Sequence, residues 1–396
     1  MVLSEEKKNQ TLQYLAKLIS ENQQEIITSN QKDLALAGSL DPTLVDRLKV
    51  DQQKVDGMVA AIEEVISLKD PQGKLLSSYD HPNGMKVENR VVPFGKILII
   101  YESRPDVTIE AAISAFKAGN KILLKGGKEA KHSNLHLVDL WKKALFEHNI
   151  SSDFVNYLDV DRTETQRILK ENPHNVNLII PRGGDSLINY VKDNTDIPVI
   201  VSGRGNNFVY VHDDADFEMA SSIILNGKTR LSVCNATDKV LFNESITDLD
   251  DKLVTLINEM FEMKLEVYGD GETFTSIQGV SQMPSSDMYD EEFLSPKIML
   301  GSVASMEEGI DKINKHSGGH SAVIVTGNQK VAEHFQQEVD CAAVYHNAST
   351  RFTDGGQFGF GAEMAISTQK LHFRGPIGLG QLVTNKWFIA GSGQIR

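Results

Sequence analysis

The sequence predicts an α/β fold in which short parallel strands alternate with helices. Apolar runs too short for helices, such as KILIIYE at 96–102 and KILLKGG at 121–127, are each followed by an amphipathic helical segment. Strands that alternate with helices in this way form a parallel sheet covered by helices on both faces. The length of 396 residues suits two or three domains.

The region before this alternation is predicted to be helical first and then a hairpin. Apolar residues recur at helical spacing through residues 1–70, and the turn Asp70-Pro71-Gln72-Gly73 ends the pattern. Residues 74–92 carry two short, partly alternating arms on either side of Pro82-Asn83-Gly84, which predicts a β-hairpin. The tail from residue 376 holds short apolar pieces that could pair with this hairpin.

Two successive runs of strand and helix follow the hairpin. A helix with Ser133 as its N-cap is predicted after the second strand. In the first run, strands are predicted at 96–102, 121–127, 176–184, 197–201 and 208–211. After Cys234 a second run begins, with strands in the segments KVLF, KIML, SAVIV and AAVYHN.

Glycines and cations stand where two strands of the first run end. Ligands of open parallel sheets bind beyond the carboxyl ends of the strands, and backbone N–H groups there can meet a phosphate. The residues in question are Lys125, Gly126, Gly127, Lys128, Arg182, Gly183 and Gly184. Ordinary turns are the alternative interpretation of both segments. An ordinary turn is the preferred interpretation of GRGNNF, GDGETF and LNGKT, because these segments lack a complete nucleotide-binding motif.

Composition excludes several classes of function. A formal charge of −14 argues against a nucleic-acid or anionic-membrane surface, since both require a basic face. No apolar run approaches the ~18 residues of a membrane span. Two cysteines cannot build a disulfide framework, and the N-terminus lacks the apolar core of a signal peptide, so a cytoplasmic location is predicted. The eleven histidines show no metal-ligand spacing, so no metal site is predicted.

Cys234 is either a small core residue or a nucleophile. Lys228 and Arg230 precede it, and cations favour a thiolate. Small polar neighbours and a position between the two α/β runs suit approach by a substrate. Cys341, beside Ala342 and Ala343 in a strand-like run, is the better candidate for a core thiol.

A long polar loop at 345–363 is a second candidate for a binding site. Long loops in compact domains are usually functional, although a purely structural loop remains the alternative. Side chains able to hold an anion or an amino acid are Asn347, Ser349, Thr350 and Arg351. Glu291 and Glu292 lie in a shorter acidic segment, for which a solvated turn is the default interpretation.

Taken together, these motifs resemble the gamma-glutamyl phosphate reductases, a family of the aldehyde dehydrogenase superfamily. The resemblance covers nearly the whole chain and is most specific at 347–375. Its motifs are VPFGKILIIYESRPDVT, LLKGGKEAKHSN, LIIPRGG, LNGKTRLSVCNATD, YDEEFLS, NASTRFTDGGQFGFGAE and STQKLHFRGPIGL.

The resemblance implies an aldehyde-dehydrogenase-like fold with a Rossmann-like cofactor domain, an α/β catalytic domain and a small oligomerisation element. The NADP-binding domain would comprise residues 1–73 and 93–228, and the catalytic domain residues 229–375. The oligomerisation element would comprise 74–92 and 376–396. The family also implies a homo-oligomer, a dimer or a tetramer, and transfer of the labile substrate from glutamate 5-kinase.

The chemistry implied by the resemblance is NADPH-dependent reduction of L-glutamyl 5-phosphate to L-glutamate 5-semialdehyde, in proline biosynthesis. Cys234 would be the nucleophile that forms a thioester, and its amide together with Asn235 would stabilise the oxyanion. Glu292 matches the glutamate that holds the nicotinamide ribose. Lys128, beside Lys125, stands where a cation suits the 2′-phosphate of NADP, and Arg104 would bind a carboxylate or phosphate of the substrate.

Some departures from related sequences also bear on this expectation. Valine stands at position 201, where hydrolytic aldehyde dehydrogenases carry the glutamate that activates water, and valine cannot act as a base. Arg204 and Asp238 also differ from the family pattern and leave substrate chain length open. The alternatives are an NADP-dependent dehydrogenase of another acyl phosphate or semialdehyde, and a catalytically silent nucleotide-binding homologue.

Overall fold

A computed structural model describes residues 3–38, 40, 42–361 and 363–396. The chain divides into two compact units. The first unit comprises Met1–Ser202, Gly359–Ala365 and Ile377–Arg396, and the second comprises Gly203–Phe358 and Ile366–Pro376. Among the described residues, no helix is both long and apolar enough to cross a bilayer.

Helices open the first unit, as the sequence predicts. Ser4 and Asp51 each accept a hydrogen bond from a backbone N–H in the first turn of a helix, which caps α1 and α4. The Asp70-Pro71-Gln72-Gly73 turn follows the end of α4. The helices are α1 (Glu5–Glu21), α2 (Gln23–Leu36), α3 (Pro42–Leu48) and α4 (Gln52–Ser67).

The predicted hairpin and the C-terminal segment form one antiparallel sheet in the first unit. The hairpin strands are β1 (Leu75–Asp80) and β2 (Lys86–Pro93). The final strand of the chain, Val383–Ala390, pairs with β2 from Val383↔Pro93 to Ala390↔Lys86. The pairing between hairpin and tail is therefore confirmed.

The core of the first unit is a parallel sheet in the order β5-β4-β3-β6. Strands β4 and β5 follow one another on one side of β3, and β6 lies on its other side. The strand order therefore reverses beside β3. The strands are β3 (Lys96–Tyr101), β4 (Lys121–Gly126), β5 (Val155–Tyr157) and β6 (Leu178–Arg182). The helices are α5 (Val107–Lys117), α6 (Lys131–Glu147), α7 (Arg162–Glu171) and α8 (Asp185–Asp193).

The predicted capping role of Ser133 is wrong. The helix α6 begins at Lys131, and Ser133 is fully buried within its first turn. Asp33 of α2 caps this helix end instead, because its carboxylate accepts hydrogen bonds from the backbone N–H groups of His132 (2.9 Å) and Ser133 (2.8 Å). A cap supplied by a residue about a hundred positions away leaves no local sequence signal.

The core of the second unit is a larger parallel sheet in the order β10-β9-β11-β8-β7-β12-β13. Apolar side chains are buried on both of its faces. Its strands are β7 (Asn207–Val211), β8 (Thr237–Asn243), β9 (Glu266–Asp270), β10 (Ser281–Gln282), β11 (Lys297–Val303), β12 (Ser321–Val325) and β13 (Ala343–His346). Its helices are α9 (Phe217–Gly227), α10 (Leu249–Glu262), α11 (Glu272–Thr275), α12 (Met306–His316) and α13 (Gln329–Glu338). Short strands β14 (Ala365–Ser367) and β15 (Gly375–Ile377) precede the last strand, β16 (Val383–Ala390).

The fold class is as predicted, but several details differ. The predicted strand at 197–201 contributes an isolated bridge, Ile179↔Val199, rather than a regular strand. Strands β5 and β9 were not predicted, because β5 is only three residues long and β9 mixes charged, aromatic and glycine residues. The second unit begins at Gly203, earlier than the predicted boundary at residue 229, because β7 pairs with β8 and β12.

Candidate functional site

Cys234 lies in the loop that joins α9 to β8 in the second unit. Its position just before β8 places it at the amino edge of the sheet, although the usual rule puts ligands at the carboxyl edge. Cys234 is partly exposed, whereas Cys341 is buried, and burial raises the pKa of the Cys341 thiol to about 11. Of the two thiols, Cys234 is therefore the one that a substrate can reach.

Gly205 and Asn207, which sequence reasoning did not single out, fix the backbone at Cys234. The side-chain amide of Asn207 donates to the carbonyl oxygens of Cys234 (2.8 Å) and Ala236 (2.6 Å). A Cβ atom on Gly205 would lie 1.7 Å from the Cys234 carbonyl oxygen, so only glycine permits this approach. The sequence does carry a glycine here, but the segment matches only part of a nucleotide-binding motif and reads as an ordinary turn.

Asn235 ties the Cys234 segment to the loop that follows β13. Its side-chain amide donates to the carbonyl oxygens of Arg351 (3.2 Å) and Thr353 (3.0 Å), and its amide oxygen accepts from the Arg351 guanidinium. An amide nitrogen has two N–H groups, and both are used here. The geometry therefore gives Asn235 a positioning role rather than the oxyanion-binding role expected from the sequence.

Arg351 is a cation that interacts electrostatically with Cys234. Burial and the nearby charge of Arg230 lower the pKa of the Arg351 guanidinium, while Cys234 acts in the opposite direction. Arg351 is half-buried and Arg230 is exposed, so water screens the charge of Arg230 more strongly. A guanidinium beside a thiol favours the thiolate.

Lys228 does not serve the role expected from the sequence. Its ammonium group forms a buried ion pair with the Asp238 carboxylate at 2.6 Å, and both side chains are almost completely buried. Burial lowers the pKa of Lys228, and the Asp238 carboxylate opposes that shift. The charge of Lys228 is thus balanced by Asp238 rather than directed at the thiol.

The predicted pocket residues of the 345–363 loop mainly hold the loop in place. Asn347 has φ of +54° and bonds to both the N–H and the carbonyl of Thr326. The Ser349 hydroxyl accepts from the Arg351 N–H, and the Thr350 hydroxyl donates to the Asn235 carbonyl at 2.8 Å. Of the candidates in this loop, the Arg351 guanidinium is the cation available to a ligand.

Gly205 connects Glu292 to the segment that carries Cys234. Its carboxylate accepts a hydrogen bond from the Gly205 N–H at 2.9 Å. The same glycine approaches the Cys234 carbonyl, so one backbone position contacts both candidates. A carboxylate has several lone pairs and can accept further bonds, for example from sugar hydroxyls.

The other candidate cluster lies in the first unit, at the carboxyl end of β4. Lys125 is half-buried, burial lowers its pKa, and its ammonium group donates to the Gly126 carbonyl at 3.0 Å. Lys128 is exposed in the short 3-10 helix Lys128–Ala130. A Cβ atom on Gly127 would lie 2.0 Å from the Glu129 carboxylate, so a larger residue here would require the Glu129 side chain to shift.

The Glu102 carboxylate lies at the second segment predicted to bind phosphate, Arg182-Gly183-Gly184. Glu102 accepts a hydrogen bond from the Gly184 N–H (3.2 Å) at the start of α8, and a Cβ atom on Gly183 would lie 2.4 Å from the same carboxylate. Arg182 ends β6 at this edge of the sheet. Because an anion occupies the helix N-terminus, the two lysines suit an anionic cofactor better than Gly183 and Gly184 do.

Arg104 belongs to the first unit and is engaged with acidic groups. Its guanidinium lies 2.7 Å from the Asp106 carboxylate and 3.7 Å from that of Glu110. Burial and the charge of Asp106 raise the pKa of Glu110. The positive charge of Arg104 is therefore largely balanced within its own unit.

A fully buried histidine makes the second unit sensitive to acid. Burial lowers the pKa of His320 from 6.5 to about 4, and its Nδ1 lies 2.8 Å from the Ser321 hydroxyl. The unfolded chain binds this proton more tightly than the folded chain does, so stability is lost as the pH falls from 6.5 through 4. We expect this residue to reduce the free energy of unfolding by about 3 kcal/mol at about pH 4.

Denaturant unfolding of the whole protein from neutral pH to about pH 4 checks this expectation. His320→Asn should show a shallower decline than the unaltered protein, because asparagine does not titrate. Equal declines in the two proteins would contradict the assignment.

The chain is similar to known proteins over almost its whole length. The sequence model of the Aldehyde dehydrogenase family matches residues 3–267 and 275–364. The chain is 43% identical to the gamma-glutamyl phosphate reductase of Carboxydothermus hydrogenoformans, over 100% of this chain and 95% of that protein. It is 42% identical to that of Gloeobacter violaceus, over 98% of this chain and 93% of that protein. The crystal structure of the gamma-glutamyl phosphate reductase of Thermotoga maritima has a TM-score of 0.93 at 39% identity, over 100% of this chain and 95% of that one.

Proposed function

The chain belongs to the aldehyde dehydrogenase family, and from that premise we propose that it reduces L-glutamyl 5-phosphate to L-glutamate 5-semialdehyde and phosphate. This reaction belongs to the biosynthesis of proline, and we place it in the cytoplasm. The observation that carries the proposal is the partly exposed thiol of Cys234 beside the Arg351 guanidinium.

The chemistry begins at the Cys234 sulfur. Its thiolate attacks the acyl carbon of the acyl phosphate, a C–S bond forms, and the C–O bond to phosphate breaks. Inorganic phosphate leaves with the electron pair of that bond, and a thioester remains on Cys234. Arg351 faces the negative charge that develops in this step, and Asn235 keeps Arg351 in place.

A reduced nicotinamide, when bound, supplies the hydride that brings the thioester to the oxidation level of the aldehyde. When the C–S bond then breaks, its electrons return to the Cys234 sulfur and the carbonyl of the aldehyde forms. The substrate contacts that we propose are Arg351 directly, with Asn347, Ser349 and Thr350 shaping the loop, and Arg104 from the first unit.

The cofactor that we propose is NADPH. Two lysines at the carboxyl end of β4, Lys125 and Lys128, fit a cofactor with an additional phosphate. The backbone at Gly126, Gly127 and Arg182 would complete the contacts of the first unit, whereas the Gly184 N–H, next to Gly183, is already bonded to the Glu102 carboxylate. Glu292 in the second unit offers a carboxylate to ribose hydroxyls.

We also propose that the protein is a homo-oligomer, a dimer or a tetramer, and that it receives its labile substrate from glutamate 5-kinase. Large apolar side chains on β16 are exposed, with Trp387 at 53%, Phe388 at 41% and Ile389 at 58%. Leu75, Leu76 and Tyr79 of β1 are exposed as well. Apolar groups of this size on one sheet usually mark an interface, which supports the oligomer.

The reverse reaction tests the substrate. We expect reduction of NADP with glutamate 5-semialdehyde to require inorganic phosphate, and to be faster than with unrelated aldehydes. Faster turnover of another aldehyde without phosphate would favour the alternative, a dehydrogenase of a different semialdehyde. No turnover with any substrate, in a protein that binds NADPH, would favour a catalytically silent homologue.

Replacing Lys128 with glutamate is expected to shift cofactor preference toward NADH. A carboxylate would face the 2′-phosphate of NADPH, so the ratio of kcat/KM for NADPH to that for NADH should fall by about tenfold or more. Steady-state kinetics with both cofactors provide the measurement. Lys131→Glu is the matched control, since Lys131 is paired with Asp159 at 2.7 Å and should leave the ratio nearly unchanged. An unaltered ratio in Lys128→Glu would exclude the proposed contact.

A further inference from the structure

Two consecutive residues of β8 hold the backbone on either side of Glu292. The Lys239 ammonium group donates to the Glu291 carbonyl at 2.6 Å. The Asp238 carboxylate accepts from the Phe293 N–H at 2.8 Å. Both peptide groups that flank the Cα atom of Glu292 are therefore anchored to the central part of the second sheet.

Lys239 is an unusual residue for this position because its side chain is completely buried. Besides the Glu291 carbonyl, its ammonium group contacts the side-chain oxygen of Asn206 at 2.7 Å and lies 3.7 Å above the centre of the Phe293 ring. Burial lowers its pKa to about 8, so most molecules still carry the charge at neutral pH. Two of these contacts, with the Glu291 carbonyl and the Phe293 ring, connect the cation directly to the segment that carries Glu292.

The neighbouring groups form a closed buried network. Asn206 donates to the carbonyl oxygens of Tyr289 (2.6 Å) and His316 (2.7 Å), and Asp238 is paired with Lys228 at 2.6 Å. Buried ion pairs add little net stability, because removing two charges from water costs about as much as their attraction returns. The attraction between Lys228 and Asp238 therefore does not by itself explain why two lysines are buried here.

We propose that Lys239 and Asp238 are positioning residues that orient the carboxylate of Glu292 toward the ribose of the nicotinamide cofactor. The inference rests on the proposed function, since it needs Glu292 to contact the cofactor. The backbone of residues 291–293 sets the direction of the Glu292 side chain, and the Gly205 N–H sets the position of its carboxylate. Loss of Lys239 would remove the hydrogen bond to the Glu291 carbonyl, and the carboxylate of Glu292 would then be less well oriented.

Replacing Lys239 with methionine tests the proposal while it preserves side-chain length. We expect the dissociation constant of NADPH, measured by its fluorescence on the full-length protein without substrate, to rise at least about tenfold. In steady-state assays KM for NADPH should rise in parallel, and kcat at saturating NADPH should stay within about threefold. Unchanged affinity for NADPH in a folded Lys239→Met protein would overturn the proposal.

Lys297→Met is the matched control. The Lys297 ammonium group lies 3.8 Å from the carboxylate of Glu291, the residue whose carbonyl accepts from Lys239. This ion pair is partly exposed to solvent. Replacing Lys297 removes a lysine charge beside this segment without removing the buried hydrogen bond. We expect NADPH affinity within about twofold of the unaltered protein. A loss equal to that of Lys239→Met would mean that charge alone is responsible and would overturn the positioning role.

A double-mutant cycle with Glu292→Gln separates the inference from the function on which it rests. If Glu292→Gln alone leaves NADPH affinity unchanged, the proposed contact of Glu292 fails and the inference fails with it. If Glu292→Gln weakens binding but Lys239→Met does not, the inference alone fails. We expect Lys239→Met to cost little further affinity in the Glu292→Gln background. An equal cost in both backgrounds would show that Lys239 acts elsewhere.

A second variant covers the case in which Lys239→Met does not fold. Asp238→Asn keeps an oxygen that accepts the Phe293 N–H and changes the volume little, but it removes the charge that balances Lys228. We expect a smaller rise in the NADPH dissociation constant, about threefold, with an unaltered rate of Cys234 alkylation in the absence of cofactor. Unchanged affinity in this variant, when folded, would likewise count against the network.

Discussion

Replacing Cys234 with serine is expected to abolish reductase turnover, by a factor of about 10³ or more, while the protein still binds NADPH. A serine hydroxyl stays protonated at neutral pH, and no thioester can form on it. The binding contacts proposed for the cofactor lie on other residues, so the dissociation constant of NADPH should change by less than about twofold. Single-turnover kinetics and NADPH fluorescence measure the two quantities on the same preparation.

Cys341 provides the matched control for this experiment. It is a buried thiol in the same unit whose Sγ lies 3.4 Å from the Ser317 hydroxyl, and burial raises its pKa to about 11. A thiol with so small a thiolate fraction should not support nucleophilic chemistry at neutral pH. Cys341→Ser should therefore keep most of the activity, whereas Cys234→Ser retaining a tenth of it would exclude the nucleophile role.

The sequence predicted the fold class well because burial on both faces of a parallel sheet leaves a strong pattern. The runs 96–102 and 121–127 each have a continuous apolar centre, Ile97–Tyr101 and Ile122–Leu124, and each becomes a largely buried strand, β3 and β4. Strand β9 escaped prediction because Glu266, Gly269 and Asp270 interrupt that pattern. Neighbouring strands, rather than the local sequence, determine its conformation.

Predictions about the site were limited by contacts between residues distant in sequence. Lys228 and Arg230 both precede Cys234, yet the structure pairs Lys228 with Asp238 and brings Arg351 to the thiol from another loop. Likewise, Asn235 suggests an oxyanion donor from its adjacency to the cysteine, but its N–H groups are used by the carbonyls of Arg351 and Thr353. Adjacency in sequence indicates which groups lie near the cysteine, but not which residues form their hydrogen bonds and ion pairs.

Replacing Arg351 with methionine is expected to lower kcat/KM for the acyl phosphate by about 10²–10³. Two effects combine in this loss. The guanidinium no longer favours the thiolate or faces the charge of the leaving phosphate, and Asn235 loses a partner that helps to fix the Cys234 segment. Alkylation of Cys234 by iodoacetamide at neutral pH, in the absence of substrate and cofactor, should slow by about tenfold.

Arg230→Met distinguishes a positioned cation from a general positive field. Arg230 is exposed and acts on Arg351 through its charge, so its removal should change kcat/KM by less than about threefold. Arg351→Lys keeps the charge but not the planar fork, and it should recover part of the alkylation rate while leaving turnover impaired. Equal losses of kcat/KM in Arg230→Met and Arg351→Met would show that the reactivity of the thiol depends on net charge alone. A geometrically defined role for Arg351 requires that kcat/KM fall much further in Arg351→Met than in Arg230→Met, because the Arg351 guanidinium bonds to Asn235, the residue next to the nucleophile.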